Sequence, residues 1–106
     1  MKIIFTIVSL VFMLSSAQAN VVCDVPRSTA KKDLKQSLFN TYGSSYSTIK
    51  MLLDAGMKDY DNICRLSNNS VNNKILKNLN STYYPSFSTI YMLYKANIKD
   101  YNALNN

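Results

Sequence analysis

The chain has 106 residues and a formal net charge of +6, which limits it to one small domain and gives it a basic character. It contains no histidine and no glutamate, the residue types behind most metal sites and acid–base pairs, so we expect no metal, no cofactor and no enzymatic activity. The lysines are scattered singly, which favours an acidic partner only in general terms and does not indicate nucleic-acid binding.

The N-terminal segment has the pattern of a secretory signal peptide. A basic start, Met1-Lys2, precedes an almost unbroken apolar run from Ile3 to Leu14, and residues 17–19 match an A-x-A cleavage site. The apolar run is shorter than a membrane-spanning helix requires. We therefore predict that residues 1–19 are removed by cleavage after Ala19, which leaves a single periplasmic or secreted domain over residues 20–106.

A stretch of 20 residues occurs twice, at 41–60 and at 82–101. The offset is 41 residues without a gap, and 12 of the 20 positions are identical. Extending the same register aligns 23–63 with 64–104, with 14 identities in 41 positions. A fixed period of this size is typical of stacked supersecondary units. We therefore predict an all-α fold made of two tandem repeats, 23–63 and 64–104, with about three helices in each.

The first helix of each repeat is predicted from apolar residues spaced four apart. Ala30, Leu34 and Leu38 form one helical stripe, and the residues 41 positions later have the same character. This spacing predicts helices near 29–40 and 70–80, with Thr29 and Ser70 as N-caps.

A second helix is predicted to follow Ser45 and, in the other repeat, Ser86. It is expected to end at Gly56 or Asn97, because Gly and Asn most readily adopt the left-handed conformation beyond a helix. A third, short helix is then predicted in each repeat, with Asp59 or Asp100 as its cap. Its inner face is predicted to be Met57, Tyr60 and Ile63, repeated as Ile98, Tyr101 and Leu104, so both tyrosines are expected in the core.

The two cysteines, Cys23 and Cys64, hold equivalent positions at the starts of the two repeats. Export to an oxidising compartment and the closeness of equivalent positions in stacked units both favour a disulfide between them. A loop of this length would stabilise the fold by roughly 4 kcal/mol on the chain-entropy estimate.

The differences between the repeats indicate a candidate partner-binding surface. Lys50 and Asp54 lie four apart on one helix face, which is typical of a solvated surface. The second repeat has tyrosines in place of Gly43, Lys50 and Leu53. We therefore predict an aromatic patch of the kind that protein interfaces favour, although packing against a neighbouring helix or a second copy would also explain it. The predicted patch consists of Tyr84, Tyr91, Tyr94 and Lys95.

The sequence leaves two functions open. One is a small exported binding protein that inhibits or sequesters a protein partner, as immunity and inhibitor proteins do. The other is a secreted basic effector or surface protein that binds an anionic lipid or polymer, through lysines at the membrane surface. The candidate lysines are Lys31, Lys32, Lys35, Lys74 and Lys77. Because two units leave their outer faces uncovered, a second copy of the chain is a further candidate partner.

Overall fold

A computed structural model describes residues 20–106, which form four α-helices joined by short turns. No strand occurs in this part of the chain, so the all-α prediction is confirmed. The predicted signal peptide, residues 1–19, lies outside the described residues and remains a prediction. The helices are α1 (Arg27–Tyr42), α2 (Tyr46–Cys64), α3 (Ser70–Tyr83) and α4 (Phe87–Leu104).

The helices form two pairs that meet through their second members. Helix α1 packs against α2, α3 packs against α4, and α2 packs against α4. We call α1 with α2 the first helix pair, and α3 with α4 the second helix pair. One core spans both pairs, and its largest fully buried side chains come from each of them and from the segment before α1. These side chains are Val22, Ile63, Leu76, Phe87 and Ile90.

The predicted disulfide is present and ties together the two ends of the first helix pair. Cys23 lies just before α1 and Cys64 is the last residue of α2, with their Cα atoms 5.7 Å apart. The segment before α1 also packs on this pair, because Val22 is fully buried and the Asn20 side-chain amide donates a hydrogen bond to the Ile63 carbonyl at 3.0 Å.

The prediction of three helices in each repeat is wrong, because α2 and α4 run straight through the predicted stops. Gly56 is buried inside α2, and a Cβ atom built on it would lie 2.5 Å from Cδ2 of Leu34. The glycine therefore permits the close approach of α1 rather than ending the helix. Asn97 lies inside α4, where its side-chain amide donates to the carbonyl of Leu93 at 2.8 Å.

The predicted caps were also partly wrong. Helix α1 begins at Arg27, after Pro26, so Thr29 lies inside the helix. Helix α3 begins at Ser70, and its cap is Asn69, whose side chain accepts a hydrogen bond from the backbone N–H of Asn72 at 2.8 Å.

The other predicted capping residues have mixed outcomes. Ser45 and Ser86 immediately precede α2 and α4 as predicted, although neither side chain makes a capping hydrogen bond. Asp59 and Asp100 lie within α2 and α4 and therefore cap no third helix.

Candidate protein-binding groove

The face that α1 and α2 form together is covered by other parts of the chain, and we call it the filled face. Tyr60 is only 5% exposed, and its hydroxyl donates a hydrogen bond to the Val25 carbonyl at 2.6 Å. Its ring meets that of Phe87, the first residue of α4, edge to face, with the centroids 5.2 Å apart. The segment before α1 and the first turn of α4 therefore cover this face together.

The face between α3 and α4 is open. It forms a groove of about 510 Å³ with an apolar wall, along which Tyr101 is 41% exposed and Leu104 is 85% exposed. We call this the open groove, and its lining residues are Ser70, Val71, Lys74, Ile75, Asn97, Asp100, Tyr101 and Leu104. The prediction that Tyr60 is a core residue is confirmed, whereas the same prediction for Tyr101 is wrong.

The open groove corresponds, residue by residue, to the filled face of the first helix pair. Each apolar residue along it lies 41 positions after a buried residue of that face and has the same apolar character. The corresponding pairs are Ala30 and Val71, Leu34 and Ile75, Tyr60 and Tyr101, and Ile63 and Leu104. The second helix pair thus exposes side chains of the kind that the first pair buries.

A narrower lobe of about 190 Å³ adjoins the open groove. It shares Lys74, Ile75 and Asn97 with the groove and is completed by Asn78 and Leu79. In the first pair, a crevice beside Phe87 is lined by Leu34, Leu38, Leu52 and Gly56, together with residues 86–89. Three of these positions, 34, 38 and 56, correspond to Ile75, Leu79 and Asn97 of the narrow lobe. The narrow lobe is therefore the counterpart of the space left beside Phe87, whereas the Phe87 ring itself lies against Tyr60, the counterpart of Tyr101 in the wider groove.

Two residues of opposite charge, Lys74 and Asp100, line the open groove and form no ion pair with each other. The ion pairs of the described residues are Arg27 with Asp61, at 2.9 Å, and Lys50 with Asp54, and both lie elsewhere. Lys74 borders both lobes, whereas Asp100 borders only the wider one. A partner in the narrow lobe would therefore meet one positive charge.

Asp33, which lies 41 positions before Lys74, has a hydrogen-bond partner in the structure. Its carboxylate accepts a 2.6 Å hydrogen bond from the Tyr84 hydroxyl, across the contact between the two helix pairs. Burial, followed by this hydrogen bond and the carboxylate charge, raises the pKa of Tyr84 to about 12. The Tyr84 ring also meets Phe87 edge to face, with centroids 5.6 Å apart.

The structure brings three of the four predicted site residues together on α4. Lys95 Nζ lies 4.6 Å from the centre of the Tyr91 ring, and the Tyr91 and Tyr94 rings stack with centroids 6.4 Å apart. Tyr94 is buried, and its hydroxyl donates to the side-chain carbonyl of Asn72 at 2.7 Å. Burial also raises the pKa of Tyr94. The surface part of this cluster is therefore half-buried Tyr91 and exposed Lys95.

Tyr84, the fourth predicted residue, is bonded to Asp33 of α1 at the contact between the two helix pairs. The groove residues that sequence reasoning missed are Val71, Ile75, Tyr101 and Leu104. The available signal was that each of these residues lies 41 positions after a core residue of the first helix pair.

No group of three or more potential metal ligands occurs among residues 20–106, and none of the helices there is long and apolar enough to cross a membrane. Compared with protein-family models, with curated proteins and with solved structures, the chain matches none.

Proposed function

We propose that this chain is a small exported binding protein that holds a protein partner in the open groove, and so inhibits or sequesters that partner, as immunity and inhibitor proteins do. The observation that carries the proposal is the open groove itself, which keeps the apolar side chains of a packed face but has no covering element among the described residues. Exposed apolar surface arranged in a groove is typical of a protein-interaction site.

The proposal includes the interpretation that the two helix pairs are copies of one unit. In a stacked array each unit has one face toward the preceding unit and one toward the next. The open groove is then the place where a further unit would stack. A partner protein can use the same place without any change in the chain.

The disulfide supports the proposed location, because disulfides form and persist in oxidising compartments outside the cytoplasm. Together with the predicted signal peptide, it favours a periplasmic or secreted protein. In such a compartment, a rigid basic chain of this size has the properties expected of an inhibitor or immunity protein.

The experiment that tests the proposal is affinity capture from the native envelope fraction and culture medium, with the oxidised protein as bait. The variant Tyr101→Lys places a charge in the groove. The matched control is Tyr42→Lys, because Tyr42 is 40% exposed at the other end of the molecule. We expect one stoichiometric partner that survives high salt and that only Tyr101→Lys loses.

Three other outcomes would contradict the proposed site or function. A partner lost in Tyr91→Ala/Lys95→Ala but kept in Tyr101→Lys would place the interface on the cluster predicted from sequence. Recovery of anionic lipid or polymer that is released by salt would favour binding through the exposed lysines instead. Equal loss in Tyr101→Lys and Tyr42→Lys would show that the groove is not the site.

A further inference from the structure

The contact between the two helix pairs is an internal example of what this kind of groove binds. The element that covers the filled face is the start of α4, where Phe87 is fully buried. Tyr84, three residues earlier, reaches across to the Asp33 carboxylate. The bound element therefore has three parts: a helix start, an aromatic anchor, and a polar group three residues before that anchor.

The serine immediately before α4 has the same conformation as the serine immediately before α2. Ser45 has φ and ψ of −79° and 68°, and Ser86 has −78° and 74°. In both turns the serine N–H donates to the carbonyl three residues earlier, and the next N–H donates to the carbonyl two residues earlier. The turns differ two residues before the serine, because Gly43 has φ and ψ of 59° and −111°, whereas Tyr84 has −53° and 133° and is joined to Pro85 by a cis peptide bond. The first turn of the helix is therefore shared, and the backbone that carries Tyr84 is specific to α4.

The open groove has a matching place for each part of this element. The Phe87 ring lies against Tyr60, and the counterpart of Tyr60, Tyr101, lines the wider part of the open groove, so an aromatic anchor has its matching place beside Tyr101. In the adjoining narrow lobe, Ile75 and Leu79 correspond to Leu34 and Leu38, which keeps the wall apolar.

The charge of the polar contact is reversed between the two faces. Asp33 accepts a hydrogen bond from a hydroxyl, whereas its counterpart, Lys74, is an exposed cation at the edge of the narrow lobe. A group held beside Lys74 is favoured when it is an acceptor with a negative charge. The position that Tyr84 holds in the internal contact would therefore be held by an aspartate or glutamate in the partner.

We propose that the open groove binds the start of a helix in which an acidic residue lies three positions before an aromatic anchor. This inference rests on the proposed function, because it specifies the chemistry of the partner that the groove holds. The aromatic side chain lies beside Tyr101 in the groove, and the acidic side chain pairs with Lys74. The net positive charge of the chain adds a weaker, longer-range preference for the same kind of partner.

A second copy of this chain fits these requirements less well. Its own equivalent helix start is at Tyr46, which is 66% exposed, but the residue three positions earlier is Gly43. Lys35 and Lys50 also lie on that outer face, where the second helix pair has Leu76 and Tyr91. Such a copy would bring Lys35, and a Lys50 that is already paired with Asp54, and it would place no acid three residues before its aromatic residue.

The test uses synthetic peptides of residues 80–95, a segment that contains the start of α4, together with the oxidised protein. The peptides carry Tyr84→Asp, Tyr84→Lys, or Tyr84→Asp with Phe87→Ala, and binding is measured by fluorescence anisotropy. The protein is tested unchanged and as Lys74→Asp, an exposed substitution that leaves the core intact. We expect the Asp peptide to bind about tenfold more tightly than the Lys peptide. The order should reverse with Lys74→Asp, and the Phe87→Ala peptide should lose binding.

Several results would overturn the inference. These are equal affinity for the Asp and Lys peptides, no binding of any peptide, or a preference that survives Lys74→Asp. A dimer in sedimentation equilibrium that Tyr101→Lys dissociates would show that the occupant is a second copy. If a natural partner is captured through Tyr101 but the peptides fail, the proposed function stands and this inference falls. If the peptides bind as expected but no partner is captured, the groove chemistry stands and the proposed function falls.

Discussion

The two helix pairs present corresponding faces with opposite exposure. Tyr60 and Ile63 are buried on the first pair, whereas Tyr101 and Leu104, 41 positions later, lie open on the second. Similar apolar residues line both faces, so the type of side chain does not account for the difference in exposure. What differs is the covering element, which is present for the first pair and absent for the second among the described residues. The same pattern of residues thus forms core in one place and an exposed surface in the other.

The pairs also differ in the residue that faces the first helix from the second. Gly56 lets the Leu34 side chain pack directly on the α2 backbone, and Asn97 stands at the corresponding place on α4. The asparagine side chain is exposed and lines the narrow lobe with Ile75. The first face therefore has a close side-chain contact at a glycine, and the second has an exposed polar side chain at the same place.

The largest expected effect comes from truncating the two equivalent tyrosines, Tyr60 and Tyr101, to alanine. Tyr60→Ala should reduce the free energy of unfolding by about 3–5 kcal/mol, because it empties a buried aromatic site. Tyr101→Ala should reduce it by less than about 1 kcal/mol, because much of that side chain is already in water. Urea unfolding followed by circular dichroism measures both values. Similar losses for the two variants would contradict the difference in burial.

Removal of the disulfide should have the next largest effect. Replacing Cys23 and Cys64 together by serine opens a loop with a sequence separation of 41, which should cost about 4 kcal/mol. The first helix pair depends on this bond, because it holds the buried Val22 segment against α2. Chemical denaturation of the double variant measures the loss, and the reduced parent protein is the control. A loss below about 1 kcal/mol would show that packing alone holds this segment.

A third comparison substitutes leucine at the two corresponding positions, Gly56 and Asn97. Gly56→Leu should lower the free energy of unfolding by about 1–3 kcal/mol, because the new side chain collides with Leu34. Asn97→Leu should change it by no more than about 0.5 kcal/mol, because position 97 is exposed. Thermal and urea unfolding test the pair of variants together. A neutral Gly56→Leu would mean that α1 can move away from α2 without loss.

The smallest expected effect is a pH dependence to which the contact between the pairs contributes. The pKa of Tyr84 is raised to about 12 in the folded protein, while an unfolded tyrosine ionises near 10. The neutral hydroxyl therefore contributes its full stability below about pH 10, and that contribution is lost as the pH rises toward 12. Unfolding measured from pH 8 to 11 should show a shallower decline for Tyr84→Phe than for the parent. An equal slope in Tyr84→Phe and the parent would contradict the account.

Much of the fold was predictable from sequence because its signals are local. The i, i+4 stripe of Ala30, Leu34 and Leu38 indicated α1, and the equivalent cysteines indicated the disulfide. The number of helices was not predictable in the same way. A glycine at position 56 reads equally well as a helix stop or as a contact point, and only the approach of Leu34 decides between the two.

The candidate site was less predictable, because the exposure of its residues depends on whether another element covers the face on which they lie. Tyr94 looked like a surface substitution when compared with its equivalent, Leu53, yet both residues are buried. Tyr101 looked like core for the same reason that Tyr60 is core. Sequence periodicity places a residue on a face of a helix, but the neighbour that covers that face is a matter of tertiary structure.

The most direct test of the central claim is photo-crosslinking in the native host, with benzoylphenylalanine placed at position 101 in the groove or at position 42 as a control. The two positions are nearly equally exposed, so a difference between them reports contact with a partner rather than access to solvent. We predict a discrete crosslinked protein from position 101 and none from position 42. The same adduct from both positions, or an adduct from position 42 alone, would contradict the claim that the open groove is the binding site.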